Sequence, residues 1–456
     1  MILQKELLEH KENKMGVMPV PALLFSMAVP VMISMLVQAL YNVVDSIFVA
    51  QLSEDALTSV SLAFPVQNLM IAVASGIGVG TNAMLSKKLG EKKPEEASSA
   101  AMHGILLCAF SYVIFALFGI LFTRAFFQSQ TGIPEIVDGG VDYLSIICIV
   151  SAGLFGQVIL ERLLQSTGRT FYSMITQMTG AVVNLIFDPI LIFGIGFVPA
   201  FGIRGAAIAT VFGQIVAACL ACWLNITRNP EIRLSFRNFR PDPGTVGRIL
   251  YVGVPSIIMV SVSSITVFFL NKILLGFTRT AAAVFGAYFK LQSFIMMPVF
   301  GLNNAMVPIL AYNYGAKKGD RIKDTIRLSI ITATLIMLAG LAVLHIFPDR
   351  LLGFFNASEQ MLAIGVPALE TISLSFIFAG YCIVTSSVFQ AFGEGLLSMI
   401  VSLLRQLVVL LPSAWLLAQT GNVNNVWWSY PIAEVMSVIL CTAFLIRLYR
   451  KVISRL

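Results

Sequence analysis

Four stretches of this chain, Leu23–Val44, Leu106–Leu121, Ile249–Leu270 and Ser329–Ile346, contain no Asp, Glu, Lys or Arg over a length close to a membrane span. About twenty predominantly apolar residues cross a hydrocarbon core as a helix, because only a helix or a closed barrel satisfies its backbone there. Twelve such blocks follow one another along the 456 residues, separated by short polar loops. The charged fraction is 12%, about half that of ordinary soluble domains, too little to cover a soluble core of this size. The expected fold is therefore an all-α polytopic membrane protein of twelve transmembrane helices.

Charge placement sets the sidedness. Lys and Arg number 23 in the N-tail, the C-tail and alternate loops, against 4 (Arg124, Arg204, Arg279, Arg350) in the remaining loops. That asymmetry predicts cytoplasmic termini and an even number of spans. The net charge of +7 is thus a membrane signature and gives no reason to expect nucleic acid. Residues 1–18 are polar and the first apolar block is too long for a signal peptide, so no cleaved leader is expected. The six cysteines fall inside apolar blocks without metal-type spacing and are expected to be small buried hydrophobes. The three histidines are scattered.

The chain also matches itself at a constant offset of 225 residues. Val29-Pro30 meets Val254-Pro255, Gln67 meets Gln292, and Gly76 meets Gly301. Gly90-Glu91-Lys92-Lys93 meets Gly315-Ala316-Lys317-Lys318, Gln165-x-x-Gly168 meets Gln390-x-x-Gly393, and Ser173-Met174-Ile175 meets Ser398-Met399-Ile400. One offset holding over so long a stretch implies a duplicated unit of six helices. The expected division is an N-terminal lobe over 1–227, a cytoplasmic linker over 228–247 and a C-terminal lobe over 248–456. Because six is even, both lobes enter the membrane from the same side, a known repeat design of secondary transporters.

Acids inside the spans are the functional candidates. A carboxylate at the bilayer centre costs about 2.5 kcal/mol or more, so it must face protein or water. Asp45, Asp188, Glu370 and Glu434 lie well inside apolar blocks; Asp142 and Glu161 lie near span ends. Gln38, Tyr41 or Asn42, and Asp45 recur at helical spacing and form one polar stripe, downstream of a hinge expected at Pro30. In the fifth span Asn184 precedes Asp188 by one turn, and Pro189 frees local carbonyls. Carboxylate, amide and carbonyl oxygens suit a hard cation or a proton relay. Two carboxylates brought together would repel, which favours taking up a proton or a cation. Lys290 and Arg405 either neutralise an acid or snorkel; snorkelling is expected of Arg405, near a loop, and a site role of the deeper Lys290. Gln67 and Gln292 are open to substrate binding or to holding helices together. The expected substrate cavity comprises Gln38, Tyr41, Asn42, Gln67, Lys290 and Gln292.

Energising and catalytic motifs do not occur. The Gly315–Gly319 stretch lacks the Lys-Ser/Thr of a phosphate loop, and neither H-E-x-x-H nor G-x-S-x-G is found. No enzyme activity and no cofactor are expected, and a gradient-driven carrier needs neither.

Val29-Pro30 with Asp45, Asn184-x-x-x-Asp188-Pro189, Gly205-Ala206-Ala207-Ile208-Ala209-Thr210, the Gly90–Lys93 loop and Gln165-x-x-Gly168 with its twin resemble the multidrug and toxic compound extrusion (MATE) family, in its DinF-like or MepA-like branch. The resemblance covers almost the whole chain. It implies two lobes around a V-shaped cavity, and export of small organic, often cationic, compounds in exchange for Na⁺ or H⁺ as coupling ion. It also implies a single-chain functional unit in the plasma (inner) membrane. Carried over by residue, the ion-coupling cluster is Asp45, Asn184, Asp188 and Thr210. The C-terminal acids of NorM-like members are missing: Ile249–Leu274 has none, and only Glu370 stands on the tenth span. The competing expectation is a lipid-linked oligosaccharide or polysaccharide flippase of the same superfamily, which needs a cationic cavity; the N-terminal acids argue against it.

Overall fold

The computed structural model describes residues 12–194, 198–235, 239–355 and 357–456, and these are helical with no strand among them. Part of the polar stretch expected over residues 1–18, and part of the linker, lies outside the described residues. Among the described residues ten helices are long and apolar enough to cross a membrane, and two bent pairs, each taken as one span, bring the number to twelve. The first lobe holds α1 (Val20–Ala50), α2 (Glu54–Gly90), α3 (Pro94–Leu121), the bent α4 (Pro134–Ile149 with Ala152–Ser166), α5 (Thr170–Phe193) and α6 (Ile203–Arg228). The second holds α7 (Pro243–Leu275), α8 (Arg279–Gly315), α9 (Gly319–Ile346), the bent α10 (Glu359–Ser373 with Phe376–Ala391), α11 (Gly395–Ala418) and α12 (Ser429–Lys451).

The 225-residue offset extends from sequence into backbone geometry. α2 and α8 are both 37 residues long and start and end at equivalent positions. Their caps correspond too: the hydroxyls of Ser53 and Thr278 accept the N–H groups of Ala56 and Ala281, each at 3.0 Å. α4 and α10 break within one residue of the same place, bent by 44° and 49°. Short helices begin at Thr123 and Pro348. Lys92 and Lys317 take φ of 58° and 57°, and Gly168 and Gly393 take 82° and 83°. α7 is started by Pro243 and by Asp242, whose carboxylate accepts the N–H groups of Gly244 and Thr245 and the Thr245 hydroxyl. The Thr245 hydroxyl and those two backbone groups together hold that carboxyl below its usual range.

Each lobe has its own core, built around Phe127, Phe155 and Leu144 in the first and around Phe285, Tyr288 and Trp427 in the second. α1 joins both: Leu23, Leu24, Met27 and Ala28 belong to the second core, whereas Val49 belongs to the first. Pro30 lies between these parts, and the helix continues through it. The first described residues, the last turn and the turns near 92, 168, 317 and 393 gather at one end of the bundle, called here the basic end. Asn13 donates to the Thr167 carbonyl, Lys318 pairs with Glu12, Gly319 abuts Leu456, Gly90 lies against Ala316, and Tyr314 packs on Phe392. From that end toward the middle of the bundle the lobes meet through glycines. A Cβ on Gly76 would stand 2.7 Å from the Gly253 carbonyl oxygen, and one on Gly301 2.7 Å from Met32 Cα; Gly80 abuts Ile249, Gly90 abuts Tyr312, and Gly315 abuts Lys87. Small residues at such crossings allow backbones to approach closely. Cys108, Cys148, Cys382 and Cys441 are buried as expected, but Cys219 is exposed.

Candidate functional site

α5 and α6 can approach because both carry glycine at their crossing: a Cβ on Gly213 would lie 2.7 Å from the Gly180 carbonyl oxygen and 3.2 Å from Asn184 Cβ. One turn beyond, this close contact brings Asn184, Asp188 and Thr210 together, at 3%, 0% and 9% exposure. With its amide nitrogen facing the carboxylate, Asn184 donates to Asp188 Oδ2 at 3.1 Å and accepts the Thr210 N–H at 3.2 Å. α1 closes the cluster from the other side. The carboxyl of Asp45 faces that of Asp188, close enough for the two acids to interact. Asp45 Oδ1 is buried and has no partner among the described residues. The stripe expected on α1 resolves in favour of Tyr41, which stands within electrostatic reach of both acids. Asn42 is exposed.

A polar path continues from the acids toward the middle of the lobe. Gln177 Nε2 donates to Gln38 Oε1 at 2.7 Å, and Gln67 Nε2 donates to the Tyr143 hydroxyl at 3.1 Å. Neither Gln177 nor Tyr143 was anticipated from the sequence. Gln177 could have been found, since it lies seven and eleven residues before Asn184 and Asp188 on the same helical face. Tyr143 carries no such signal; its environment, within reach of Asp45, comes from the fold alone. The whole donor set is oxygen and amide. It combines two acids with neutral groups, and no group of three or more His, Cys, Asp or Glu that could hold a metal occurs among the described residues. Such a set fits a proton or a hard monovalent cation rather than a transition metal.

The second lobe does not repeat this chemistry. The residues equivalent to Asp45, Asn184 and Asp188 are Leu270, Val409 and Ser413. Gln292, the twin of Gln67, is half-buried and makes no side-chain hydrogen bond among the described residues. Two expectations about cations need correcting. Arg405 does not snorkel: Nη1 donates to Glu434 Oε2 at 3.2 Å inside the lobe, where α11 passes through a π-helical stretch, Leu404–Leu410. Glu434, only 4% exposed, holds it there because neither charge would be stable alone in that core. Lys290 pairs with no acid among the described residues; it is exposed, with Nζ 6.0 Å from the centre of the Phe355 ring. It is eleven residues, about three turns, from Gly301, and so shares the face of α8 that meets α1. Of the other acids, Asp142 pairs with Arg204 at 2.8 Å, and Glu370 is half-buried. Glu161 is buried, accepting from Gln157 at 3.0 Å and from Thr176 at 3.1 Å.

Comparison with known proteins gives a consistent answer. The MatE family model matches residues 30–190 and 253–416, one copy in each lobe. The FAD transporter of Shewanella oneidensis is 25% identical over 428 residues, covering 93% of this chain and 94% of its own. Multidrug export protein MepA of Staphylococcus haemolyticus is 25% identical over 417 residues, covering 91% and 90%. Among solved structures, the outward-facing conformation of a multidrug resistance MATE family transporter superposes with a TM-score of 0.91 at 26% identity, covering 98% of this chain and 99% of that one. A MATE structure in complex with MaL6 gives a TM-score of 0.91 at 26% identity, covering 98% and 100%.

Proposed function

Because this chain belongs to the MatE family of membrane transporters, we propose that it is a secondary antiporter that exports small organic, often cationic, compounds in exchange for inward Na⁺ or H⁺. The observation that carries this reading is the meeting of Asp45 and Asp188 in an oxygen-lined cluster. Two carboxylates in contact repel unless a proton or cation joins them, so the pair is a site whose charge changes on loading.

The mechanism follows from where that site stands. The basic end is cytoplasmic, residues 1–227 and 248–456 are the moving lobes, and 228–247 is the link between them. The acids lie in the half of the first lobe away from the basic end, where the outside supplies the ion. Loading one proton or Na⁺ lowers the charge of the pair from −2 to −1 and relieves the repulsion between α1 and α5. α1 is anchored in both cores, so a shift of its far half is felt in the second lobe. Inward movement of each positive charge contributes about 2.3 kcal/mol per 100 mV of membrane potential. No cofactor takes part, and one chain is the functional unit in the plasma membrane. Gln38, Tyr41, Gln67, Lys290 and Gln292 border the substrate path.

The test is efflux from proteoliposomes under an imposed Na⁺ gradient and, separately, an imposed pH gradient, with ethidium and FAD as probes. Saturable efflux driven by one gradient supports antiport and names the ion. Efflux indifferent to both gradients removes the coupling role from the acids.

A further inference from the structure

At the basic end of the second lobe a groove of about 410 Å³ opens between α9 and α12. Its α9 wall is Lys323, Ile326, Arg327, Ile330 and Ile331, spaced so that all share one helical face. α12 contributes Leu445 and Tyr449, and Ile453 lies beyond them. Both helices order their chemistry in the same direction. α9 begins at Gly319, so Lys323 and Arg327 occupy its first turns and Ile330 and Ile331 lie farther in. α12 ends at Lys451, so Tyr449 is at the mouth and Leu445 one turn deeper. Cations and a phenol therefore sit above a hydrocarbon trough, the order of groups along a phospholipid.

The charges at the mouth are available. Lys323 touches Asp320 at 3.0 Å, but both are exposed and such a surface pair holds weakly. Asp324 is the other acid nearby and is also exposed. Arg327 is exposed and has no ion-pair partner among the described residues.

The duplication supplies a second argument. Ser98, Ala101 and Ile105 stand 225 residues before Lys323, Ile326 and Ile330. In the first lobe that face is covered by the chain itself: the Arg233 N–H donates to Ser98 Oγ at 2.9 Å, and Ile232 and Leu234 join a cluster with Ala101 and Ile105. In the second lobe the last turn gives only Ile453 to the edge of the groove, and Ser98 and Met102 are replaced by Lys323 and Arg327.

We propose that this groove binds an anionic phospholipid of the leaflet at the basic end. Its phosphate lies between Lys323 and Arg327, and one acyl chain lies against Ile326, Ile330 and Leu445. Basic pockets between membrane helices select anionic headgroups in this way, each cation adding attraction near the surface. The proposal does not depend on what the protein transports.

Native mass spectrometry of the full chain, with phosphatidylglycerol and phosphatidylcholine supplied equally, tests it. Wild type should retain phosphatidylglycerol on the order of tenfold better. The double variant Lys323→Gln/Arg327→Gln, which alters exposed side chains only, should lose that preference. Ile330→Trp should fill the trough and reduce retention of both lipids, and Lys92→Gln, at the same end but outside the groove, should change nothing. Equal retention by wild type, or a preference that survives the double variant, overturns the proposal. So does displacement of the lipid by glycerol 3-phosphate as readily as by added phosphatidylglycerol, which would mean a free-phosphate site.

Discussion

Asp45 on α1 and Asp188 on α5 place their carboxyl groups side by side, and Asp45 keeps one buried oxygen without a partner among the described residues. Asn184 fixes the other side of the pair through its bond to Asp188 Oδ2. A hydrogen bond to a charged group is worth about 1.5–3 kcal/mol. Asn184→Ala should therefore slow ion-driven efflux by roughly tenfold or more while expression stays normal. Initial rates in proteoliposomes would measure it; an unchanged rate would mean that Asn184 does not organise the acids.

Gly213 sets the distance between α5 and α6. Gly213→Val adds bulk where even a Cβ would stand 2.7 Å from the Gly180 carbonyl oxygen. The helices must separate, which parts Asn184 from Thr210. The variant should lose most transport and melt at lower temperature, and a thermal-shift assay beside an efflux assay reports both.

Asn68 on α2 donates to Ser264 on α7 at 2.9 Å, across the two lobes. In a background without the native cysteines, Asn68→Cys with Ser264→Cys should form a disulfide, since the side chains already meet. The crosslink should stop transport, and a reductant should restore it. Crosslinked protein that still transports would show that the lobes do not separate there.

Arg405 and Glu434 form an ion pair whose acid is almost wholly buried. Losing one partner of such a pair costs up to about 3 kcal/mol, toward the lower end here because Arg405 keeps 34% of its side-chain exposure. Arg405→Met should lower the melting temperature more than Arg405→Met/Glu434→Met does. Equal losses would mean that the pair is packing rather than charge.

Much of this architecture was legible in the sequence because membranes punish exceptions. Uncharged blocks gave the spans, and the offset shared by Gly76 and Gly301 marked the duplication that reappears as glycine contacts between lobes. Asp45 and Asp188 stood out because few carboxylates lie inside apolar blocks. What escaped depended on tertiary neighbours. Arg405 looked like a snorkelling cation because its partner Glu434 lies on the next helix, and Lys290 looked deep because a linear count cannot tell an exposed position from a buried one. The breaks in α4 and α10 have no proline or charge at the bend to announce them. Tyr143 became a site residue only when α4 packed against α2 and came within reach of Asp45 on α1.

The most direct test of the coupling account is proteoliposome efflux of ethidium by Asp188→Asn, with substrate binding measured on the same preparation. The account predicts normal folding and binding with efflux no longer responsive to either a Na⁺ or a pH gradient. Gradient-driven efflux at the wild-type rate would contradict it, whatever else the two lobes do.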